Sequence, residues 1–443
     1  MSVPGESTRR TGHFPRLPSE WEESSLGQLF DVQQGKALSP QARQGRSPRR
    51  FLRTANVLWG KLDLGTLDMM DFDQAEADRL ALKDRDLLVC EGGEIGRTAI
   101  WRGEVPDCLY QNHIHRLRRK LADIEPEFVM YWMQAAFLSL QLFGGAGNKT
   151  TIPNLSAARL KSLFVPKPPA NEQRAIAGVL AKIQRAVEVE DRRITALKEL
   201  RAATMAKVFR EGLRGEPTDQ TEFGEIPHGW QIETLGHLCA PPPGTIQTGP
   251  FGSQLHSSDY VGEGVPIVNP THMTAGMLVD ESIPRVSPSD AERLAKHRLR
   301  QGDILFSRRG DVGRHAYISE REQGWLCGTG CLLVRPADST IERRFLSYAL
   351  ETPLVQDYLV AHAAGTIMPN INTKILSSVP VPVAPPADQA QIAHLLSALD
   401  VPLSLADRRQ HALEGFFASV LHQLMTGQLR VAPLLDQEEA SHA

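Results

Sequence analysis

The chain has 443 residues, enough for two to four domains, and a hydrophobic fraction of 41% supplies ordinary cores. A formal net charge of −3 excludes a protein that coats nucleic acid by bulk electrostatics, although local clusters of positive charge can still meet phosphate. No apolar run reaches membrane-span length, the start MSVPGESTRRTGHFPR lacks a hydrophobic signal core, and five scattered cysteines suit reduced thiols, so a cytoplasmic protein with no membrane partner is expected.

Residues 1–16 read as disordered. Over 17–166, short β-branched and aromatic segments alternate with turn residues and one helical stretch from Pro126, which predicts a mixed α/β (α+β) globular domain. Prolines in VPKPP then lead into a long helix within 167–214, whose roughly 40 residues at about 1.5 Å each would span about 60 Å. Its apolar stripe is Ile176, Leu180, Ile183, Val187, Ile194 and Leu197. A linker, 215–229, precedes a second globular domain, 230–382, and PVPVAPP opens a second long helix, 383–430, before a tail, 431–443. The second stripe contains Ile392, Leu396, Leu399, Leu403, Leu413, Phe417, Val420 and Leu424, with a kink or late start expected around Pro402 and Gly415. Stripes this regular predict two helices packed as an antiparallel coiled coil, the alternative being that each packs on its own globular domain. Leu200, Met205, Phe209 and Phe416 fall on the outer faces, where they would stay exposed until a partner covers them.

The two halves are copies of one another. LPSEWEESSLGQLF from Leu17 is answered by IPHGWQIETLGHLC from Ile226, and RDLLVCEGGEIGR from Arg85 by GDILFSRRGDVGR from Gly302. TIPNLSAARLKSLFVPKPPANEQ from Thr151 runs against IMPNINTKILSSVPVPVAPPADQ from Ile367, which sets Pro153 opposite Pro369. Two similar modules make a pseudo-twofold object, which suits a roughly symmetric target such as double-stranded DNA.

Signatures of catalysis are missing from the sequence. Asn269-Pro270 is followed by Thr271-His272, without the second proline and aromatic that hold a flipped base. In GGAGNKT, Asn148 interrupts the contiguous glycine and lysine of a phosphate loop. No lysine has an acid two positions before it, as a common nuclease site requires, and neither HExxH nor GxSxG occurs. Cys327 and Cys331 lack a second pair to complete a zinc site. Of His113 and His115, strand alternation buries one as a structural residue. The chain reads as non-catalytic.

Candidate DNA readers are donors and acceptors in glycine-rich loops, where backbone can approach a duplex. In the first half these are Gln33, Gln34, Lys36, Arg97, Asn148, Lys149 and Thr150; in the second they are Gln247, Thr248, Ser253, Gln254, His256, Arg308, Arg309 and Arg314. Arg43, Arg46, Arg49, Arg50 and Arg53 form a further basic cluster that reads equally as a solvated loop.

The order and duplication of I/L-P-x-x-W, G-D-I-L-F-S-R-x-G-x-x-G and P-x-P-P-x-x-E/D-Q, each pair of domains and helices in turn, resembles the specificity subunit of type I restriction-modification systems over about 17–430. The resemblance implies two target recognition domains, each reading half of an asymmetric bipartite DNA site, and helices that fix the spacer and dock two methyltransferase subunits. Ile176, Leu180, Ile183, Val187, Ile392, Leu396, Leu399 and Leu403 are then the candidate partner-binding residues. Restriction subunits complete such a complex. S-adenosylmethionine, ATP and Mg²⁺ would belong to the partner subunits, and no cofactor to this chain. The copies differ where Cys90-Glu91 faces Ser307-Arg308, a carboxylate that would repel phosphate, and where Gln184 faces Asp400. Competing readings are the specificity subunit of a type II-like restriction-methylation enzyme and a protein scaffold that binds no DNA.

Overall fold

A computed structural model describes residues 17–39, 48–140, 154–240, 242–274, 276–278, 283–337, 341–363 and 370–431, together with Thr8–Arg9, Ala42 and Leu142. They form two compact units, residues 1–192 with 407–443, and residues 193–406. Two long helices run through both, α1 over Ala170–Glu211 and α2 over Pro386–Met425. Each unit therefore holds one globular head, the beginning of one long helix and the end of the other. Among the described residues no helix is long and apolar enough to cross a membrane.

The first head is built on β1 (Phe30–Gln34), β2 (Leu87–Cys90), β3 (Thr98–Ile100) and β4 (Ile114–Arg119), in the antiparallel order β1-β4-β2-β3. The second repeats it with β5 (Thr245–Thr248), β6 (Ile304–Ser307), β7 (His315–Tyr317) and β8 (Cys331–Arg335), in the order β5-β8-β6-β7. Each head adds a smaller sheet with one parallel pairing, Phe51 beside Leu109 and Ile267 beside Leu326. A buried ion pair braces the main sheet in both heads, Asp86 with Arg118 and Asp303 with Arg335, each at 2.6 Å.

Physical reasons for the duplicated motifs are visible in the packing. Ser25 and Thr234 cap one-turn helices, Leu26–Leu29 and Leu235–Leu238. A Cβ on Gly27 would lie 3.0 Å from that of Lys161, and one on Gly236 2.9 Å from the Ser377 carbonyl, so the Leu-Gly pair marks a close backbone approach. In the proline-rich motif the glutamine is a buried staple. Gln173 accepts from the Glu125 amide and donates to the carbonyls of Asp123 and Pro168; Gln389 accepts from the Glu342 amide and donates to the Ala384 carbonyl. The preceding acid receives an arginine from just beyond the other long helix. Arg430 pairs with Glu172 at 2.7 Å, while Trp21 donates to the same carboxylate at 3.0 Å; Arg214 pairs with Asp388 at 3.0 Å.

This arrangement corrects the reading of the apolar stripes. Ile176 and Leu180 are buried in the first head's core, and Ile392 and Leu396 in the second's, so these four are unavailable to another subunit. The helix ends enter a core as well: Met205 and Phe209, expected on an outer face, pack with Trp230 and Phe345, and Val420, Leu421, Leu424 and Met425 close the core around Trp21. An amphipathic stripe does not reveal which surface it meets, and here the heads supply the walls. The helices run antiparallel, with polar pairs within each unit, Glu190 with Arg409 and Asp191 with Gln410 in one and Arg201 with Asp400 in the other, while in the first unit Val420, Leu421 and Leu424 share an apolar core with Ile176 and Leu180. Ile183, Val187, Leu399 and Leu403 are half-buried, while Leu200 and Phe416 are exposed. The late start expected near Pro402 is absent: α2 begins at Pro386 and continues through Pro402 and Gly415. Of the N-terminal stretch, Thr8–Arg9 pairs with Leu17–Pro18 and so has strand structure; residues 1–7 and 10–16 lie outside the described residues.

All five cysteines are buried free thiols. Burial pushes Cys90 up to about 11 and Cys108 and Cys239 up to about 12, and raises Cys327 well above the ordinary thiol value through its contact with Cys331 and its burial. Among the described residues no three His, Cys, Asp or Glu side chains converge as a metal site requires. At pH 8 a chromogenic disulfide reagent is expected to titrate none of the five thiols in the folded protein and all of them in denaturant. Prompt labelling of the native protein would contradict this packing.

The two acid–arginine clamps differ in burial, since the side chain of Arg430 is 16% exposed and that of Arg214 63%. Glu172→Gln is therefore expected to cost about 3 kcal/mol, because it leaves a largely buried guanidinium with Glu20 as its one remaining acid partner among the described residues. Asp388→Asn should cost about 1 kcal/mol or less, since its partner returns to water. Urea unfolding of the two variants, followed by Trp fluorescence, measures the difference.

Candidate DNA interface

Strand direction sets where the loops meet. β1 and β2 end, and β4 and β3 begin, at the same end of the first sheet; β5, β6, β8 and β7 do the same in the second. The glycine-rich segments therefore gather at one end of each head, on a frame that is nearly superimposable in its bonding. After β2 the amide of Glu91 donates to His113 and its carbonyl accepts from Leu155; after β6 the amide of Arg308 donates to Gly330 and its carbonyl accepts from Ile371. The duplicated Pro-Asn-aliphatic motif thus returns the chain to the tip of the central strand. Gly93, Gly96, Gly310 and Gly313 all have positive φ, which gives the two tips the same turn. A Cβ on Gly35 would approach the Gln111 carbonyl to 2.3 Å and one on Gly249 the Gly328 carbonyl to 2.0 Å, so both first-strand tips press on the neighbouring loop.

Several candidate readers are occupied within these loops. Arg97 and Arg314 hold equivalent bracing positions: Arg97 donates to Thr54 O at 3.0 Å and pairs with Glu94, and Arg314 donates to Pro270 O at 3.4 Å and pairs with Asp311. This use by the loop itself explains why the arginine occurs in both copies. Gln34 donates to Glu91 and to Asn112 O, so the carboxylate expected to repel DNA is a largely buried acceptor. Lys36 pairs with Glu76 and donates to Asp71 O, Gln33 donates to Gln34 O, and Gln247 donates to Lys296 O.

Others remain open. Arg309 is exposed at the tip of the second head, and Arg308 beside it is half-buried, its Nε without a partner among the described residues. Thr248 ends β5, Ser253 and Gln254 lie in the turn Gly252–Gln254, with the Gln254 Oε1 buried and unpartnered among the described residues, and His256 is exposed. Asn269 and Asn370 also carry buried Oδ1 atoms unpartnered among the described residues; both lie in motifs visible in the sequence, Asn269-Pro270 and the duplicated Pro-Asn pair, but neither motif marked them as readers. Asn148, Lys149 and Thr150 lie outside the described residues, as do Arg43 and Arg46. Arg49 and Arg50 belong to a strand, Pro48–Leu52, and Arg53 pairs with Asp68, so this part of the basic cluster is structured, not a loop. His115 is buried and bonded to Leu155 O, while His113 lies in the preceding turn.

Two copies of one head, each joined to a long helix and each gathering glycine loops at one sheet end, define a duplicated recognition protein. The family described as the type I restriction modification DNA specificity domain matches residues 18–199 and again 227–414, and the chain belongs to it. It is a specificity subunit with two target recognition domains, a DNA-recognition part and not a catalytic one. The putative type I restriction enzyme MjaX specificity subunit of Methanocaldococcus jannaschii is 23% identical over 424 residues, 94% of this chain and 95% of that one. The MjaVIII specificity subunit of the same organism is 20% identical over 442 residues, covering 95% and 96%. The crystal structure of a type I restriction-modification S subunit from M. genitalium shares the fold with a TM-score of 0.60 at 18% identity, covering 94% of this chain and 97% of that one.

Arg97→Ala is expected to cost about 1–3 kcal/mol, the range for leaving buried bonded partners unsatisfied, and Arg314→Ala about 1 kcal/mol, since its side chain and Asp311 are solvent-accessible. Arg309→Ala should stay within about 0.5 kcal/mol of the wild type. Thermal melts of the three variants separate bracing from open arginines.

Proposed function

We propose that each head reads one half of a bipartite, asymmetric DNA site through the loops at the tip of its main sheet. The observation that carries this reading is one frame presented twice with different side chains: Gln34 stands where Thr248 does, and Glu91 where Arg308 does. Identical frames with unlike surfaces suit two different half-sites. The long helices set the gap between the half-sites, and two methyltransferase subunits dock on their exposed faces, where Val189, Leu200, Val401, Leu405 and Phe416 are open to solvent. Restriction subunits join that assembly in the cytoplasm. S-adenosylmethionine, ATP and Mg²⁺ are held by the partners, and this chain supplies the address.

Long-read methylation profiling of host DNA, with the gene intact and deleted, tests this. Deletion is expected to abolish methylation at one motif with two unlike halves and a fixed gap. Replacing Arg309 with Ala should relax about one position in one half, at a cost of about 1–3 kcal/mol per lost base contact. An unchanged methylome on deletion, with the methyltransferase genes expressed, would overturn the reading.

A further inference from the structure

In the second head a large apolar side chain stands where solvent, not core, surrounds it. Phe251 is 59% exposed, in the loop that follows β5. The backbone on both sides is committed to holding it there. Gly249 presses on the Gly328 carbonyl so closely that no Cβ fits, Pro250 is buried, and the Thr329 hydroxyl donates to the Pro250 carbonyl at 3.0 Å. Beyond the ring, Gly252 takes φ +58°, the Gln254 amide donates back to the Phe251 carbonyl at 3.2 Å, and Arg293 grips the Gln254 carbonyl at 2.6 Å. Glycine geometry and these hydrogen bonds fix the backbone on either side of the exposed ring.

The ring also stands at the reading end. Its loop leans on Gly328-Thr329, Gly330 accepts from the Arg308 amide, and Arg309 lies next in the chain. Of the polar neighbours, Gln247 on β5 donates to Lys296 O, and the Gln254 Oε1 in the loop is buried. In the first head the residue two places after the equivalent glycine, Gly35, is Ala37. The projecting ring is thus a property of one head.

We propose that Phe251 is a specificity-determining residue of the second head, which stacks its ring on a base at a locally unstacked step of the half-site. The assignment rests on the DNA-reading proposal above. Aromatic wedges exploit the π-face that every base carries and favour steps that unstack easily, so the ring reads deformability where arginine reads hydrogen bonds.

The test uses the complex reconstituted with its methyltransferase subunits, on duplexes with 2-aminopurine at each adenine position of the half-site that Arg309→Ala alters. The wild type should change the fluorescence at one position on binding. Phe251→Ala should abolish that change and weaken specific binding about 10- to 100-fold, the size of one base–aromatic stack, with an unaltered melt. Phe251→Trp should restore both. Wild-type affinity in Phe251→Ala would overturn the assignment. So would weaker binding with the fluorescence change intact, which would make the ring an apolar contact to a groove. Absence of any sequence-specific binding by the wild-type complex would instead sink the DNA-reading proposal itself.

Discussion

The buried acid–glutamine pair at the start of each long helix is the constraint on which the rest depends. Glu172-Gln173 and Asp388-Gln389 each do two tasks with adjacent side chains. The amide fastens the helix start to backbone groups of its own head, which would otherwise be buried without partners. The carboxylate takes a guanidinium from the far end of the other helix. A head is held in this way by two helix ends at once, and its orientation on the helix pair becomes a matter of hydrogen-bond geometry.

On that frame the two copies diverge where function allows. At Gln184 and its counterpart Asp400 the joint between head and helix differs: Tyr131 donates to Gln184 in the first unit, whereas in the second Asp400 receives Arg201, Arg344 and Tyr348 while Arg201 also pairs with Glu351. Desolvation and its bond to Asp400 push Tyr348 up to about 12. A buried charged network demands every member, so the second joint tolerates substitution less than the first. The braces beneath the loops, by contrast, are the same in both, because the tips must be rigid whatever they read.

Much of this was legible in the sequence. Duplication exposed the repeat, the prolines located both long helices, and glycine spacing located the loop tips. What escaped was the identity of each surface's partner. Periodicity placed Ile176 and Leu180 on a stripe and Met205 and Phe209 on outer faces, whereas all four pack into the heads. Arginine in a glycine loop looked like a reader, yet Arg97 and Arg314 are braces, because the carbonyls they serve, Thr54 and Pro270, are more than forty residues away in the chain. Arg214 and Arg430 drew no notice at all, since the acids they clamp lie 174 and 258 residues from them.

That last separation shapes how the protein is made. The first unit takes its final wall from residues 407–431, so a nascent chain emerges with its N-terminal head unfinished and finishes it only after the second head has been synthesised. At typical elongation rates the wait is roughly 10 to 50 seconds, during which the apolar surface around Trp21 and Ile176 lacks Val420, Leu424 and Met425. The N-terminal half is thus the half in need of shelter on the ribosome, and the C-terminal residues act as the latch that ends its exposure.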